Sequence, residues 1–347
     1  MNKPLKQLET RVWRTYKGGK LLDKFLGKQN FTDSEYPEDW ISSFVAAKNK
    51  VLVENEGITR VETDEGVKLI NEVITSSDFG EGRDTSGVLI KYLDAAERLG
   101  IQVHPTKDYA LKYFNTPFGK TECWHILDVR EDEGEPPAIY LGFKPYVTKE
   151  LWRDLFEKQD IEGMLEAMHK LEVKPGDTVL VKGGVPHAIG ANCFLLEIQE
   201  PTDYTMRVER VTVAGDTLTD MQMHYGVGFD AMLDCFDYTP LTREEILDKY
   251  FLTPKVEKLN EDTLQKLVTY SDTPCFKLEK VEASDYTLKL DSFVTLIILN
   301  NNGTIKFGDE VINVKRADKV FVPSGLGEIK LNQVNAIICY PPQKETR

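Results

Sequence analysis

One pattern occurs twice in this chain of 347 residues, and it constrains the fold more than any other feature. Residues 173–184 read VKPGDTVLVKGG, and residues 314–325 read VKRADKVFVPSG. Both segments place a valine–lysine pair, an aspartate, two alternating valines and a final glycine at the same spacing. Alternating apolar residues are typical of strands, and Asp and Gly are typical of turns, so each copy predicts a strand–turn–strand unit. Two copies indicate two related β modules.

The first copy continues to a histidine and the second does not. His187 follows the first unit, whereas the equivalent position of the second is Glu328, and the chain has no histidine beyond His224. Imidazole is a common ligand of transition metals in proteins. The first module is therefore expected to bind a metal ion, and the second is not.

A second candidate ligand pair lies in residues 99–105, which read LGIQVHP. Gln102 and His104 are two residues apart behind an apolar run, and residues two apart in a strand point to the same face. The amide oxygen and the imidazole would then project side by side into one interior. This spacing is how a strand presents metal ligands.

Three of the five histidines are poor candidates for such a site. His169 falls in a helical pattern and is expected at the surface, and His224 has no acidic or cysteine neighbour. His125 alternates out of phase with Glu122 and should face away from that carboxylate. The remaining set suits one Zn²⁺ per chain or another divalent ion, with positions left for water or substrate; it comprises Gln102, His104, Glu122 and His187.

Composition excludes several classes of protein. The net charge is −14 and the pI is near 5.0, which argues against nucleic acid as a partner. The five cysteines are scattered and form no CxxC motif, so reduced thiols are expected. No apolar run approaches the roughly 18 residues of a membrane span. We therefore expect a cytoplasmic protein with no membrane partner, and the sequence leaves its oligomeric state open.

Helical periodicity interrupts the strands in one place. Residues 148–171 show apolar spacings of three and four, which predict one or two amphipathic helices with Asp160 as interruption and cap. Residues 88–93, VLIKYL, read instead as a buried strand that contains one charge, Lys91. A buried lysine is costly unless it meets an anion, so Lys91 is expected to have one as its partner.

Four segments together resemble a known family. Residues 175–192, PGDTVLVKGGVPHAIGAN, are similar to a metal motif of the cupins, which are small jelly-roll barrels. In the order 89–105, 118–127, 175–190 and 196–207, the chain reads LIKYLDAAERLGIQVHP, FGKTECWHIL, PGDTVLVKGGVPHAIG and LEIQEPTDYTMR. This combination resembles the type I mannose-6-phosphate isomerases (phosphomannose isomerases) of the shorter bacterial kind.

The resemblance implies a fold that is mainly β with helical insertions, built as tandem cupin barrels of which the N-terminal one binds metal. Residues 1–240 would form the catalytic domain, with the helical insertion around 148–171. Residues 241–347 would form a helix and a degenerate cupin-like β domain.

The resemblance also implies an activity, the zinc-dependent interconversion of mannose 6-phosphate and fructose 6-phosphate through an enediol. The zinc ligands of the family fall on Gln102, His104, Glu122 and His187. Arg207 falls on the active-site arginine and would stabilise the enediolate, while Glu197 and Lys120 are both candidates for moving the proton. Lys91, Lys120 and Arg207 would contact the sugar phosphate. The identity of the base stays open between these candidates.

Two other functions compete with this one. The first is a metal-dependent cupin enzyme of another class, such as an Fe²⁺ oxygenase, although its usual HxH pair is replaced here by Gln102 and His104. The second is a non-catalytic sugar-binding bicupin. Retention of Arg207, Glu197 and both lysines disfavours this second alternative.

Overall fold

The structure is a computed structural model that describes residues 1–344 except 52, 132, 133, 260 and 301. The strands in the first half of this part are β1 Leu5–Gln7, β2 Arg11–Val12, β3 Glu38–Ile41, β4 Arg60–Thr63, β5 Gly66–Leu69, β6 Leu89–Ala95, β7 Gln102–Val103, β8 Glu122–Val129, β9 Ala138–Phe143 and β10 Met168–Glu172. Those that follow are β11 Thr178–Val181, β12 His187–Ile189, β13 Cys193–Gln199, β14 Met206–Arg207, β15 Lys255–Leu259, β16 Asp262–Val268, β17 Lys277–Lys289, β18 Val294–Ile298, β19 Gly303–Phe307, β20 Glu310–Val314, β21 Lys319–Val322 and β22 Glu328–Tyr340. The α-helices are α1 Lys20–Phe25, α2 Ile70–Val73, α3 Ser76–Phe79, α4 Lys107–Phe114, α5 Lys149–Lys158, α6 Ile161–Glu166, α7 Asp220–His224, α8 Phe229–Asp234 and α9 Arg243–Tyr250.

The strands form three antiparallel sheets. The front sheet has the order β10-β9-β12-β7-β14, and the middle sheet has the order β11-β8-β13-β6-β3-β2. The back sheet runs β15-β16-β17-β22-β18-β21-β1-β4-β5, with β19 and β20 paired beside β22. The prediction of a mainly β protein with helical insertions is confirmed.

The middle sheet is buried on both faces, and the side-chain alternation of its strands decides what each face contains. In β6, Ile90 and Tyr92 belong to the apolar core shared with the back sheet. Leu93 and Ala95 belong to the core shared with the front sheet. Lys91 has the same parity as Leu93, so it lies on the side of the front sheet. This is the face that bears the candidate site.

The repeat corresponds to one turn that the chain builds twice. Oδ2 of Asp177 accepts a hydrogen bond from the backbone N–H of Lys174 at 2.9 Å. Oδ2 of Asp318 accepts from Lys315 in the same way at 3.1 Å. An aspartate that closes its own turn is a common turn device, which explains why both copies keep it. The strands β11 and β21 follow the two turns.

Both ends of the chain contribute to the back sheet. The first strand pairs with β21, with Leu5 opposite Phe321, and Gln7 is also opposite Val61 of β4. The strands β4 and β5 then form the edge of the sheet. The predicted division between residues 240 and 241 remains a prediction, but the sheet of the later segment includes strands from the first 70 residues.

The helical insertion is partly as predicted. Helices α5 and α6 fill residues 149–166, and the Asp160 side chain caps α6 by accepting from Gly163. The helical pattern was wrong for the residues that follow, because Met168–Glu172 is strand β10 and pairs with β9. His169 is accordingly not a surface residue of a helix: its side chain is buried and Nε2 lies 2.8 Å from the carbonyl oxygen of Leu241.

Candidate metal centre and active-site cavity

The proposed metal ligands come from the front sheet and the middle sheet, which face each other. Gln102 of β7 lies directly opposite His187 of β12 in the front sheet. His104 follows β7 immediately, and its side chain is buried. Glu122 is the first residue of β8 in the middle sheet. Four side chains that are up to 85 positions apart in the sequence therefore meet between the two sheets.

The ligand atoms converge on one point. Nε2 of His104 lies 3.1 Å from Oε2 of Glu122, and Nε2 of His187 lies 3.5 Å from Oε1 of the same carboxylate. The three ligand atoms of His104, Glu122 and His187 lie within 4.8 Å of one another. The side-chain amide of Gln102 lies 3.2 Å from Nε2 of His187, so rotating the amide brings its oxygen to the same point.

Both imidazoles are oriented by backbone carbonyl oxygens. Nδ1 of His104 lies 3.0 Å from the oxygen of Tyr204, and Nδ1 of His187 lies 2.8 Å from the oxygen of Val185. A carbonyl oxygen only accepts hydrogen bonds, so each Nδ1 carries the proton and each Nε2 keeps a lone pair toward Glu122. A carbonyl partner behind a histidine is the usual arrangement of a metal-binding imidazole.

The protonation states and one unpartnered oxygen also fit a divalent ion. Burial and the nearby Lys120 ammonium lower the pKa of His104 to about 3, and burial likewise lowers the pKa of His187. Burial opposes ionisation of Glu122, but His104 and Lys120 outweigh it and hold its pKa well below the usual range. Oε2 of Glu122 is buried and accepts no hydrogen bond among the described residues. Two neutral imidazoles, a carboxylate and an amide are a suitable donor set for zinc.

Lys120 lies beside the candidate metal centre. Its Nζ is 3.0 Å from Nε2 of His104 and 3.6 Å from Oε2 of Glu122. Its backbone N–H donates to the carbonyl oxygen of Pro105 at 2.9 Å, which ties the turn before β8 to the segment that bears His104. Burial lowers the pKa of the Lys120 ammonium. Lys120 is thus close enough to the centre to contact anything bound there.

Lys91 has the anionic partners that its burial requires. Nζ lies 3.1 Å from Oε1 of Glu197 and 3.7 Å from Oε2 of Glu38. Burial alone would lower the pKa of the Lys91 ammonium, but the two carboxylates outweigh it and raise that pKa. Burial and the charge of Glu122 together raise the pKa of Glu197 to about 7. The sequence predicted an anionic partner for Lys91 but did not find Glu38.

Arg207 enters the cavity from strand β14, where it pairs with Gln102. Its Nη1 donates to the carbonyl oxygens of Thr205 and Gln222 at 3.2 and 2.9 Å, and to Oη of Tyr225 at 3.4 Å. Within the described part of the chain its Nε and Nη2 donate to no side chain or carbonyl. Arg207 is therefore positioned by one nitrogen and keeps two others for a ligand.

Six of the predicted site residues line one cavity of about 770 Å³, including its opening to solvent, and His104 and His187 lie beside it through their contacts with Glu122. It contains Lys91, Gln102, Lys120, Glu122, Glu197 and Arg207, together with residues that the sequence analysis did not find: Arg14, Tyr16, Glu38 and Asp203. One signal was available, because Glu38 and Trp40 are two residues apart in the segment EDWI and would therefore share one face of a strand. The others lie in segments whose pattern predicts no strand or helix.

The remaining histidines lie outside this cavity. His125 faces away from Glu122, as predicted, and its Nδ1 lies 2.9 Å from the hydroxyl of Thr178. His224 is buried at the end of α7, where its Nδ1 accepts from the backbone of Gly226 at 3.1 Å. All five cysteines are buried and free. No helix of the described residues is long and apolar enough to cross a membrane.

Comparisons with known proteins give one consistent result. No family model matches the chain. The mannose-6-phosphate isomerase ManA of Bacillus subtilis is 29% identical over 255 residues, or 72% of each chain. The mannose-6-phosphate isomerase of Streptococcus mutans is 34% identical over 206 residues, or 58% of each chain.

Solved structures are similar over almost the whole length. The crystal structure of the mannose 6-phosphate isomerase from Bacillus subtilis has a TM-score of 0.72 at 20% identity and covers 97% of this chain and 98% of its own. A mutant phosphomannose isomerase from Salmonella typhimurium has a TM-score of 0.73 at 13% identity, with 98% and 99% covered. At these identities the likeness concerns the fold.

The fold and the site together define a cupin-like protein with a candidate divalent-metal centre between two of its sheets. Within that class, the chain is similar in sequence and in fold to the mannose-6-phosphate isomerases. The resemblance seen in the sequence is thereby confirmed.

Proposed function

We propose that this protein is a zinc-dependent aldose–ketose isomerase that interconverts mannose 6-phosphate and fructose 6-phosphate through an enediol. The observation that carries the proposal is the convergence of His104, Glu122 and His187 beside the cavity that Glu122 lines together with Lys120 and Arg207. The names of the relatives support mannose 6-phosphate as one substrate, and fructose 6-phosphate is the ketose that an aldose–ketose isomerase would form from it.

The proposed metal ligands are Gln102, His104, Glu122 and His187. When bound, Zn²⁺ supplies positive charge that orients and polarises the oxygen atoms on C1 and C2 of the sugar. The backbone carbonyls behind the two imidazoles keep each Nε2 unprotonated for this task.

The reaction moves one proton between C1 and C2, so it needs a group that accepts and returns that proton. Glu197 and Lys120 are the two candidates, because both line the cavity on the same side as Glu122. Their pKa values support either role, since burial raises that of Glu197 to about 7 and lowers that of Lys120. A group that titrates close to the working pH is an effective acid and base.

Negative charge develops on oxygen as the enediolate forms, and Arg207 is placed to stabilise it. Its Nη1 is held by three acceptors, which leaves Nε and Nη2 to donate toward the cavity. Fixed donors aimed at a developing oxyanion lower the barrier because they need no rearrangement during the reaction. Lys91, held between Glu197 and Glu38, would contact a sugar hydroxyl.

A coupled assay for mannose 6-phosphate isomerisation tests this proposal. The purified protein is assayed as isolated, after chelation, and after addition of Zn²⁺. We expect activity that chelation removes and zinc restores, and a His104→Ala variant that binds less metal. A metal-loaded protein without turnover would refute the isomerase assignment, and full activity in His104→Ala would refute the ligand assignment.

A matched control separates loss of a ligand from loss of a histidine. His125→Ala removes a buried imidazole from the opposite face of β8, and His125 does not line the active-site cavity. We expect this variant to keep its bound metal even though it is less stable.

A further inference from the structure

A second recess adjoins the active-site cavity and is rich in cations. Four residues line both spaces: Arg14, Thr15, Arg207 and Leu218. The recess adds Lys48 and Lys50, whereas Asp216 is the one carboxylate among its described lining residues. A concentration of positive charge in a chain whose net charge is −14 indicates an anionic ligand.

Lys48 is held in place by aromatic rings and the backbone. Its Nζ lies 3.6 Å from the ring centre of Tyr204 and 5.6 Å from that of Tyr225. Its backbone N–H donates to Oδ2 of Asp203 at 3.0 Å. Tyr204 is in turn stacked on Phe114, with ring centres 4.1 Å apart. The ammonium therefore has a defined position although the residue is exposed.

No carboxylate neutralises Lys48: among the described residues, none lies within 4.0 Å of its Nζ. Arg14 is bound on one side, where Nε donates to Glu38 at 3.0 Å and Nη1 to Asn49 at 2.9 Å. Its Nη2 is 3.7 Å from Asp203 and donates no hydrogen bond within the described part of the chain. Lys48 therefore keeps its ammonium donors for an oxyanion, and Arg14 keeps one, the buried Nη2, whose charge is shared with Asp203.

Lys91 is a poorer site for a phosphate dianion. Two carboxylates lie within 3.7 Å of its Nζ, and all three groups are buried. A phosphate placed there would be repelled by Glu38 and Glu197 in a region of low dielectric. The recess, in contrast, has more cations than carboxylates among its described lining residues, and it opens to solvent. A phosphate dianion can therefore enter it without losing all of its hydration.

We propose that this recess binds the phosphate group of the sugar phosphate, held by Lys48, Arg14 and Arg207. This inference rests on the proposed function and names the part of the site that selects a phosphorylated sugar. Since Arg14 and Arg207 line both spaces, one ligand can occupy the recess with its phosphate and the cavity with its C1 and C2 end. Arg207 then lies between the phosphate group in the recess and the C1 and C2 atoms in the cavity.

The variant Lys48→Met tests the proposal without disturbing the buried network, because Lys48 is exposed. It keeps most of the length of the side chain and removes the charge. We expect KM for mannose 6-phosphate to rise about tenfold or more, and to change more than kcat, because a charge-assisted hydrogen bond to the phosphate is lost. Lys48→Arg should restore most of the affinity. The bound metal per chain should equal that of the parent protein.

A matched control comes from a second lysine that lies over a tyrosine ring. Lys112 on α4 has Nζ 4.6 Å from the ring centre of Tyr113 and does not line the recess. We expect Lys112→Met to leave KM unchanged.

Binding of inorganic phosphate separates this inference from the isomerase proposal. Isothermal titration of the parent protein and of Lys48→Met with phosphate requires no turnover. Weaker binding by about tenfold or more in Lys48→Met supports the recess as the anion site, even if the protein fails to isomerise mannose 6-phosphate. Equal phosphate affinity in the two proteins, or an unchanged KM in an active Lys48→Met enzyme, overturns it. A third outcome is that Lys48→Met weakens the binding of inorganic phosphate and leaves KM unchanged. The recess would then bind the free ion and not the phosphate group of the substrate, and this result also overturns the inference.

Discussion

Charged side chains share the cavity face of the middle sheet with apolar residues. Lys91 lies on the same face of its strand as Leu93, and Glu122 lies on the same face of its strand as Trp124. An unpaired buried charge costs several kcal/mol, on the order of a large part of a protein's stability. Lys91 and Glu197 instead lie directly opposite each other on β6 and β13. The cost of burying Lys91 on this face is therefore offset by the carboxylate of Glu197.

The role of Arg207 predicts a separation of turnover from metal binding. We expect Arg207→Ala to lower kcat by about 10²- to 10³-fold, because a fixed oxyanion donor is removed. The metal content should stay at the parent level, since Arg207 is not among the proposed ligands. Steady-state kinetics and metal analysis of the same preparation check both numbers. A parallel loss of zinc and kcat would show that Arg207 supports the metal centre instead, and Arg207→Lys should recover little because lysine lacks the forked donor.

His125 predicts how stability depends on pH. Burial and the nearby Lys280 lower the pKa of its imidazole to about 4, against about 6.5 in an unfolded chain. Between these values the unfolded chain binds a proton that the folded chain does not. The folded state therefore loses stability as the pH falls from 6.5 to 4, by about 3 kcal/mol in total.

A His125→Gln variant lacks this contribution. We therefore expect it to lose about 3 kcal/mol less stability than the parent protein as the pH falls from 6.5 to 4. Urea unfolding of the metal-free proteins between pH 7 and pH 4 measures it, and the other histidines contribute equally to both proteins. Curves that stay parallel over this range would show that His125 does not titrate as its burial implies.

At the scale of elements, the metal centre depends on a glycine turn. Gly183 lies against the segment after His104, because a Cβ at this position would be 2.7 Å from the carbonyl oxygen of Pro105 and 3.0 Å from Cα of Thr106. The backbone N–H of Gly184 donates to the carbonyl oxygen of His104 at 2.8 Å. The turn thus joins the two segments that bear the histidine ligands.

We expect Gly183→Ala to weaken metal binding and to lower the free energy of unfolding by about 1–3 kcal/mol, because the backbone must move to admit the methyl group. Zinc titration and chemical unfolding check the two effects. Gly176→Ala is the matched control: it has a φ of +96° and nothing within 4 Å of its Cβ. That variant should lose about 1 kcal/mol from backbone strain and keep its affinity for zinc. Similar zinc affinity in both variants would contradict a positioning role for the turn.

Local patterns predicted some elements well and others badly, for physical reasons. The strand that contains Lys91 and the interruption at Asp160 were predicted because alternation and caps are local signals. The strand Met168–Glu172 was missed because Met168 and Leu171 continue the helical spacing, while pairing with β9 decides the conformation. Glu38 was missed because its contact with Lys91 depends on the pairing of β3 with β6.

At the scale of the whole molecule, a buried ion pair connects the N-terminal and C-terminal segments. Nζ of Lys319 on β21 lies 2.5 Å from Oδ2 of Asp39 on β3, and both side chains are buried. The same ammonium donates to the carbonyl oxygen of Leu8 at 3.1 Å. The pair joins the back sheet to the middle sheet.

We expect Lys319→Met to lower the free energy of unfolding by about 3–5 kcal/mol, because it leaves Asp39 buried without its partner. Lys266→Met removes an exposed pair of equal length, 2.5 Å to Glu257, and should cost less than about 1 kcal/mol. Thermal unfolding followed by circular dichroism checks this difference. A single transition is expected in the parent protein, since both ends of the chain build one sheet; two separated transitions would instead support independent domains divided near residue 240.

The closure of the back sheet by the two ends of the chain also sets the order of events during synthesis. Lys6 and Asp318 form an ion pair although they are 312 positions apart. At a translation rate of roughly 5–20 residues per second, the first strand leaves the ribosome some 15–60 s before β21 exists. During that interval, one edge of β1 has unpaired backbone groups. The nascent chain therefore carries this unpaired strand edge until β21 has been made.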